Sequence, residues 1–525
     1  MRREEMLRKI RERADRGEPW DIAVVGGGAT GMGVAVDAAA RGFQAILVEA
    51  HDFGKGTSSR STKLVHGGVR YLEQGNIPLV MSALKERGLL RQNAPHLVKD
   101  LAFVVPNYSW WEAPFYGIGL KLYDLLAGKY GFGPSKLLSK EETLQRLPAL
   151  EPEELRGGVV YYDGQFDDSR LLIHLAMTAA DQGATVVNYC PATGLLRDEE
   201  GYVNGLIARD DESGEAFSIN AKVIINATGV FTDEIRRMAD PATEPLMVTS
   251  QGIHLVFDRS FLKGDTALMV PRTSDGRVLF VIPWHGHAVA GTTDTPVDGP
   301  SLEPKPLDEE IQFILETAGR YLTRPPSRAD VLAVYVGLRP LVKSGGASST
   351  SAISRDHTIH VDTSGLLTIT GGKWTTYRHM AEDTVDHAIT LGRLSDQSCT
   401  TKNLRIHGYQ EPPSGRDEED ALEVYGSDAA EIRSLAQQIP ELAKPLHQAL
   451  PYIGAEVVWA ARAEMARTIE DVLSRRTRAL FLNAHAAMQM AEPVARLLAR
   501  ELGRDDAWVA SQLQEFSALA KQYTV

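Results

Sequence analysis

Apolar residues follow two rhythms along this chain. Residues 21–25 are a short, mostly apolar run that breaks into Gly26-Gly27-Gly28, after which Ala and Val recur at helical spacing through Ala40. Gly42 punctuates the end of that segment, and a second apolar run, 45–48, ends at Glu49. Strand, glycine turn, helix and strand make a βαβ unit. Further runs at 101–105, 185–187, 223–226, 253–257, 278–282 and 367–370 predict strands interleaved with helices to about residue 390. The pattern is that of an α/β body with an added, more antiparallel section.

Beyond residue 408 the rhythm changes. The stretch 408–415 contains Pro412, Pro413 and flanking glycines and reads as a linker. The sequence after it is rich in Ala, Leu, Glu and Arg, and 455–490 carries no proline, which predicts a helical domain. The expected division is a charged N-terminal extension (1–20), a body (21–395), a linker (396–417) and a helical C-terminal domain (418–525). Within the body, nucleotide-binding parts are expected at about 21–100, 150–240 and 335–395, and substrate or cap parts at about 101–149 and 241–334.

Charge and cysteine content narrow the chemistry. A formal net charge of -13 argues against nucleic acid as a partner, while leaving room for local arginines to hold an anion. Two cysteines, Cys190 and Cys399, cannot build an iron–sulfur cluster or a four-thiolate zinc site, so no metal is expected and a reducing compartment fits. The first sixteen residues alternate acids and bases around Met6, Leu7 and Ile10 and lack a signal peptide's apolar core. No uncharged apolar run approaches the roughly 18 residues needed to span a bilayer. A cytoplasmic location is expected, with any membrane contact made from the cytoplasmic face.

Gly26-Gly27-Gly28-Ala29-Thr30-Gly31 matches G-x-G-x-x-G between a strand and a helix. Gly26 permits the tight turn, Gly28 lets the backbone approach a pyrophosphate, and Gly31 allows close helix–sheet packing. The helix start offers unsatisfied N–H groups to phosphate, and Glu49 can accept from ribose hydroxyls. NAD and FAD share this fingerprint. No second copy with a following acid is present, so whatever binds here is the resident redox cofactor.

The run from Gly56 to Glu73 places Thr57, Ser58, Ser59 and Lys63 before a loop with His66, Gly67, Gly68, Arg70 and Tyr71. Taken alone it is either a flavin-lining loop or a helix cap followed by a surface loop. Other motifs follow in order: 223–229 with Ala227 and Gly229, 280–284, 291–295, 337–341 with Gly337 and Arg339, 354–357 with Arg355, and 371–378 with Lys373 and Thr375. Together they resemble the FAD-dependent glycerol-3-phosphate dehydrogenases, from about residue 20 to 390. The helical tail with Arg475-Arg476-Thr477-Arg478 is similar to that family's C-terminal domain.

The resemblance implies an α/β fold: an FAD-binding Rossmann-like domain of the glutathione-reductase and D-amino-acid-oxidase type, an interleaved antiparallel β-sheet substrate or cap domain, and an all-α C-terminal domain. It implies FAD held by Gly26, Gly28, Gly31, Glu49, Thr57, Ser58, Ser59, Lys63, His66, Gly67, Gly68, Ala227, Gly229, Gly337, Lys373 and Thr375. Thr375 and Thr376 can cap the helix that follows, whose dipole would favour negative charge on a reduced flavin. Sn-glycerol 3-phosphate is the implied substrate, with Arg70, Tyr71, His254, Arg339, Arg355 and Lys373 around it. His66 is the candidate base, acting with Arg339 and Lys373; His254 is the alternative. The chain departs from the family at Gln251, where many relatives carry lysine, which removes one possible partner for substrate or flavin charge.

Two electrons must leave the flavin, and without a second dinucleotide site or a cluster the acceptor is a diffusing molecule, quinone or oxygen. A quinone is favoured, because no space for the oxidase branch's insertion is evident. Trp110, Trp111, Phe115, Tyr116, Ile118, Leu120, Lys121, Leu122, Tyr123, Lys129, Tyr130 and Phe132 read either as an interfacial membrane anchor or as a buried cap helix. The remaining alternatives are an oxygen-reducing oxidase, an amine or amino-acid oxidase, and a non-catalytic interaction protein on this fold. A homodimer is compatible with the helical appendage.

Overall fold

A computed structural model describes all residues except 70, 71, 73–75, 110, 111, 274, 275, 344–355 and 412–419. The strand Trp20–Val25 is apolar at every position but Asp21 because it is interior to its sheet and buried on both faces. It pairs in parallel with Ala45–Val48 on one side and Ala216–Asn226 on the other. The order continues outward to Thr185–Val187 and to Leu367–Gly371, and His357–Val361 closes the last edge antiparallel. The helices Ala29–Ala40, Asp168–Asp181 and Tyr377–Leu391 cover this sheet.

The second sheet is almost wholly antiparallel and is built around Met247–Asp258, which pairs with His287–Gly291, Thr295–Val297 and Val331–Val342. One face packs on the helix Asp308–Gly319 through Ile253, Leu255, Ile311 and Ile314. The other face meets the C-terminal helices, with Tyr335 edge-on to Phe481 at 5.2 Å. Three strands depart from the expected division. Leu64–Val65, Gly157–Phe166 and Val331–Val342 lie in this cap sheet rather than in the nucleotide part. An apolar run shows that a strand is buried, not which sheet it joins.

The first residues are an integral helix, not an extension. In Arg3–Arg16 the stripe Met6, Leu7 and Ile10 is buried, Arg3 reaches Asp210 at 2.5 Å, and Gly17 ends the helix at φ 64°. The C-terminal domain is helical with one small antiparallel hairpin, Pro445–His447 with Leu450–Ile453. Its junction with the nucleotide domain is a buried ion network. Asp52 accepts from Arg475 Nε at 2.5 Å and from Arg476 Nη1 and Nη2 at 2.5 and 3.0 Å. Arg478 meets Asp167 at 2.8 Å, and Arg170 pairs with Glu464. Burial alone would raise the Asp52 carboxyl, but Arg476 and Arg475 overcome it and hold it at about 2.

The helix Glu112–Ala127 divides the two readings of its sequence by face. Leu120, Tyr123 and Ala127 are buried, whereas Phe115, Ile118 and Leu125 are 52%, 74% and 76% exposed. Trp110 and Trp111 lie outside the described residues.

Candidate active site

The glycine turn is tightly built. Gly26 has φ 110°, and a side chain there would reach 2.7 Å from the Ala227 carbonyl oxygen. At Gly31 a side chain would reach 1.9 Å from Gly26 O, so helix and strand can approach only without it. The Ala29 N–H at the helix start donates to Ser58 Oγ at 2.9 Å, and Gly229 opens onto free space. Glu49 accepts from the N–H groups of Gly27 (2.5 Å) and His51 (2.8 Å), and burial raises its pKa. Those two bonds leave lone pairs for ribose hydroxyls. The residues present fit a dinucleotide.

The neighbouring loop is more occupied with its own protein than its sequence indicates. The Thr57 hydroxyl donates to Leu338 O at 2.7 Å, and the Ser59 hydroxyl is directed to Gly56 O at 3.5 Å. Lys63, at φ 63° and fully buried, donates to Ser59 O (2.7 Å) and to Asp168 (2.8 and 2.9 Å). Its ammonium sits among Trp284, Tyr335 and Phe481 and is turned away from cofactor duty. Gly67 is small because a side chain would meet Leu84 and Tyr123 at 2.5 Å, and its N–H donates to Tyr123 Oη at 2.8 Å. Gly68 bends the chain at φ 80°.

Residues far apart in sequence converge here. The His66 N–H donates to Thr375 Oγ1 at 3.2 Å, joining the His66 loop to the turn that carries Lys373. Neither threonine caps the following helix: Thr375 serves His66, and the Thr376 hydroxyl donates to Lys373 O at 3.2 Å. Trp374 Nε1 donates to Ser58 O at 2.8 Å and ties the same turn to the hydroxyl-rich loop.

On the cap sheet, register puts Arg339 opposite Ser250, Gly337 opposite Gly252 and Tyr335 opposite His254. Gly337 packs on the Arg60 backbone, and a side chain at Gly252 would meet the Arg339 guanidinium at 2.5 Å. Arg339 thus lies over a glycine, held by Asp294 (3.1 Å), Gln251 O (3.1 Å) and Thr293 O (2.7 Å). His254 Nε2 is 2.9 Å from Thr62 Oγ1, and the ring stacks on Tyr335 at 4.7 Å. Burial first, then the charges of Lys63 and Arg339, keep His254 well below the ordinary histidine pKa and hence neutral.

Two family matches cover this architecture. The family described as FAD dependent oxidoreductase matches residues 21–378, and the C-terminal domain of alpha-glycerophosphate oxidase matches residues 371–509. The chain is 41% identical over 542 residues to a mitochondrial glycerol-3-phosphate dehydrogenase of Arabidopsis thaliana, covering 96% of this chain and 86% of that protein. It is 41% identical over 526 residues to the Homo sapiens mitochondrial enzyme, covering 94% and 72%. The FAD complex of the Bacillus halodurans glycerol-3-phosphate dehydrogenase superposes with TM-score 0.79 at 30% identity, covering 98% of this chain and 97% of that one. The chain belongs to the FAD-dependent glycerol-3-phosphate dehydrogenase family.

Within a glycerol-3-phosphate dehydrogenase framework, the substitution at Gln251 takes on a definite meaning. Gln251 sits on the opposite face of its strand from His254, and its Nε2 donates to Glu310 at 2.6 Å. Its side chain therefore contacts the Asp308–Gly319 helix and not the face that carries Arg339. Arg70, Tyr71 and Arg355 lie outside the described residues. Thr62, Ser250, Thr293 and Asp294 were missed as site residues; Thr293 and Asp294 lie in the 291–295 motif, and the structure shows that they anchor Arg339. The Arg475-Arg476-Thr477-Arg478 motif is wholly buried at the domain junction.

Proposed function

We propose that the chain oxidises sn-glycerol 3-phosphate at C2 to dihydroxyacetone phosphate and passes the electrons to a membrane quinone. The observation that carries this reading is the pairing of Arg339, close against Gly252, with the buried His254 on the same sheet face. Bound FAD supplies the acceptor for the hydride leaving C2. Gly26, Gly28, Gly31, Glu49, Ser58, Ala227 and Gly229 would hold it. Arg339 binds the phosphate dianion with charge-assisted hydrogen bonds of about 1.5–3 kcal/mol each, assisted by Lys373, Arg70 and Arg355. Asp294 and Thr293 O fix the guanidinium beforehand, so little side-chain entropy is lost on binding.

His254 takes the hydroxyl proton. Thr62 orients the ring through Nε2, and Nδ1 has no protein partner among the described residues. His66, whose backbone N–H joins its loop to Thr375, is the alternative base. Anaerobic addition of glycerol 3-phosphate should bleach the oxidised flavin band, while glycine and other amines should not; bleaching by amines alone would end this reading. His254→Gln should slow flavin reduction by about 10²–10⁴-fold, and a slowing confined to His66→Gln would move the base there. Arg339→Met should raise KM at a cost of about 2–5 kcal/mol in kcat/KM.

Access to quinone fits the exposed apolar face of the Glu112–Ala127 helix. Phe115, Ile118, Leu122 and Leu125 are exposed along one side of it, with Lys121 beside them. No described helix is long and apolar enough to cross a membrane, so contact would be interfacial. Flotation with anionic liposomes tests it; protein left entirely at the bottom of the gradient would remove the membrane from the proposal.

A further inference from the structure

The segment 52–60 lies between the cofactor turn and the rest of the molecule. Its inner edge supports the turn: Gly54 N–H donates to Gly27 O at 3.1 Å, Phe53 packs on Gly27, and Ser58 Oγ receives the Ala29 N–H. Its outer edge is held by a line of alternating charges. Asp52 pairs with Arg475, Arg475 Nη1 with Glu470 at 2.8 Å, and Glu470 with Lys55 Nζ at 2.5 Å. Lys55 lies 3.5 Å from Glu303, which takes Arg60 Nη2 at 2.8 Å and the Tyr523 hydroxyl at 3.2 Å. Asp52, Lys55 and Arg60 belong to the nucleotide domain, Glu303 to the cap, and Glu470, Arg475 and Tyr523 to the C-terminal domain.

We infer that the C-terminal helical domain is a clamp on the cofactor loop, with Glu470 as its central positioning residue. The chemistry follows from placement. Residues 52–60 are a bend, a turn and a single turn of 3-10 helix, with no α-helix or strand of their own to hold Ser58 against Ala29. Buried, mutually paired charges fix relative position strongly, because separating any pair leaves a desolvated charge behind. Among the described residues, Glu470 is the one carboxylate that grips both Lys55 of the loop and Arg475 of the domain's own network. The clamp makes FAD retention and docking of the C-terminal domain reciprocal, so each strengthens the other.

The inference rests on FAD occupying the Gly26 turn, and the test is FAD release from the purified holoenzyme, followed by the rise of free-flavin fluorescence on dilution. Glu470→Gln should release FAD at least about tenfold faster. Adding Lys55→Met should accelerate release by less than Lys55→Met does alone, since the 2.5 Å contact is already lost and only the 3.5 Å approach to Glu303 remains. Lys55→Arg, which keeps the charge, should release FAD at the parent rate. Tyr425→Phe is the structural control: it removes the 2.9 Å bond to Glu456 inside the C-terminal domain without touching segment 52–60. It should lower Tm and leave FAD release unchanged. Should Glu470→Gln fold poorly, Tyr523→Phe gives the same readout with a smaller acceleration, about two- to threefold. Parent-like release from Glu470→Gln or Tyr523→Phe, or release that follows Tm equally in Tyr425→Phe, overturns the clamp. A parent enzyme with no flavin to release would instead strike the FAD reading and the clamp with it.

Discussion

The helix Glu112–Ala127 and the segment from Glu464 to Arg478 each reverse the usual placement of residue types, in opposite senses. The first turns Phe115, Ile118 and Leu125 outward; the second buries Glu464, Asp471, Arg475, Arg476 and Arg478 almost completely. The buried charges find their partners inside the molecule. Asp52, Asp167 and Arg170 come from the nucleotide domain, and each desolvated ion meets an opposite charge. On the helix, Ile118 and Leu125 stay about three-quarters exposed, and Phe115 meets the Tyr116 ring edge-on at 5.3 Å. The liposome contact proposed above rests on this exposed face. Polarity therefore tells where a side chain belongs only once its partner is known.

The comparison breaks most sharply at Asp52. Asp52→Ala leaves Arg475 and Arg476 buried without their shared carboxylate and should cost about 3–5 kcal/mol of stability. Urea unfolding measures it, and a cost below about 1 kcal/mol would mean that water reaches the network. A second cut falls at His407, between Asp181 (2.6 Å) and Asp428 (3.0 Å), where linker and nucleotide domain meet. Burial lowers its pKa, but the two carboxylates overcome this and raise it from 6.5 to about 9. A raised folded pKa gives stability that is complete below about 6.5 and lost as pH rises through about 9, at most about 3 kcal/mol. Midpoints that stay flat from pH 6 to 10 in the parent, or that fall equally in His407→Gln, would refute the assignment. The smallest effect is expected on the apolar side: Leu125→Glu should weaken liposome binding by about 2 kcal/mol and leave aqueous stability within about 0.5 kcal/mol. Equal binding by parent and variant would point the face toward another partner.

Acid behaviour sharpens the same contrast. Arg475 and Lys55 hold the Glu470 carboxyl at about 2 against its burial, as Arg476 and Arg475 hold Asp52. Depressed carboxyls contribute stability that is present above about pH 4 and lost as pH falls through about 2. Phe115, Ile118 and Leu125 themselves carry no titratable group.

What could be read directly from the chain is local. The Gly26 turn, its strand, its helix and Glu49 follow one another within thirty residues, and backbone sterics dictate each glycine. The motifs of the FAD-dependent body are likewise short and ordered, and they named the family. Tertiary structure alone decided the rest. Lys63 stands in a cofactor motif, but its left-handed backbone sends the ammonium to Asp168. Gln251 and His254 are three residues apart on one strand, and the alternation of side chains puts them on opposite faces. The charged tail motif and the apolar stripe of Glu112–Ala127 have unambiguous composition, yet their exposure depends on what packs against them. Spacing along a chain specifies backbone shape over a few residues, whereas the partner of a side chain comes from hundreds of residues away and exists only after the domains have docked.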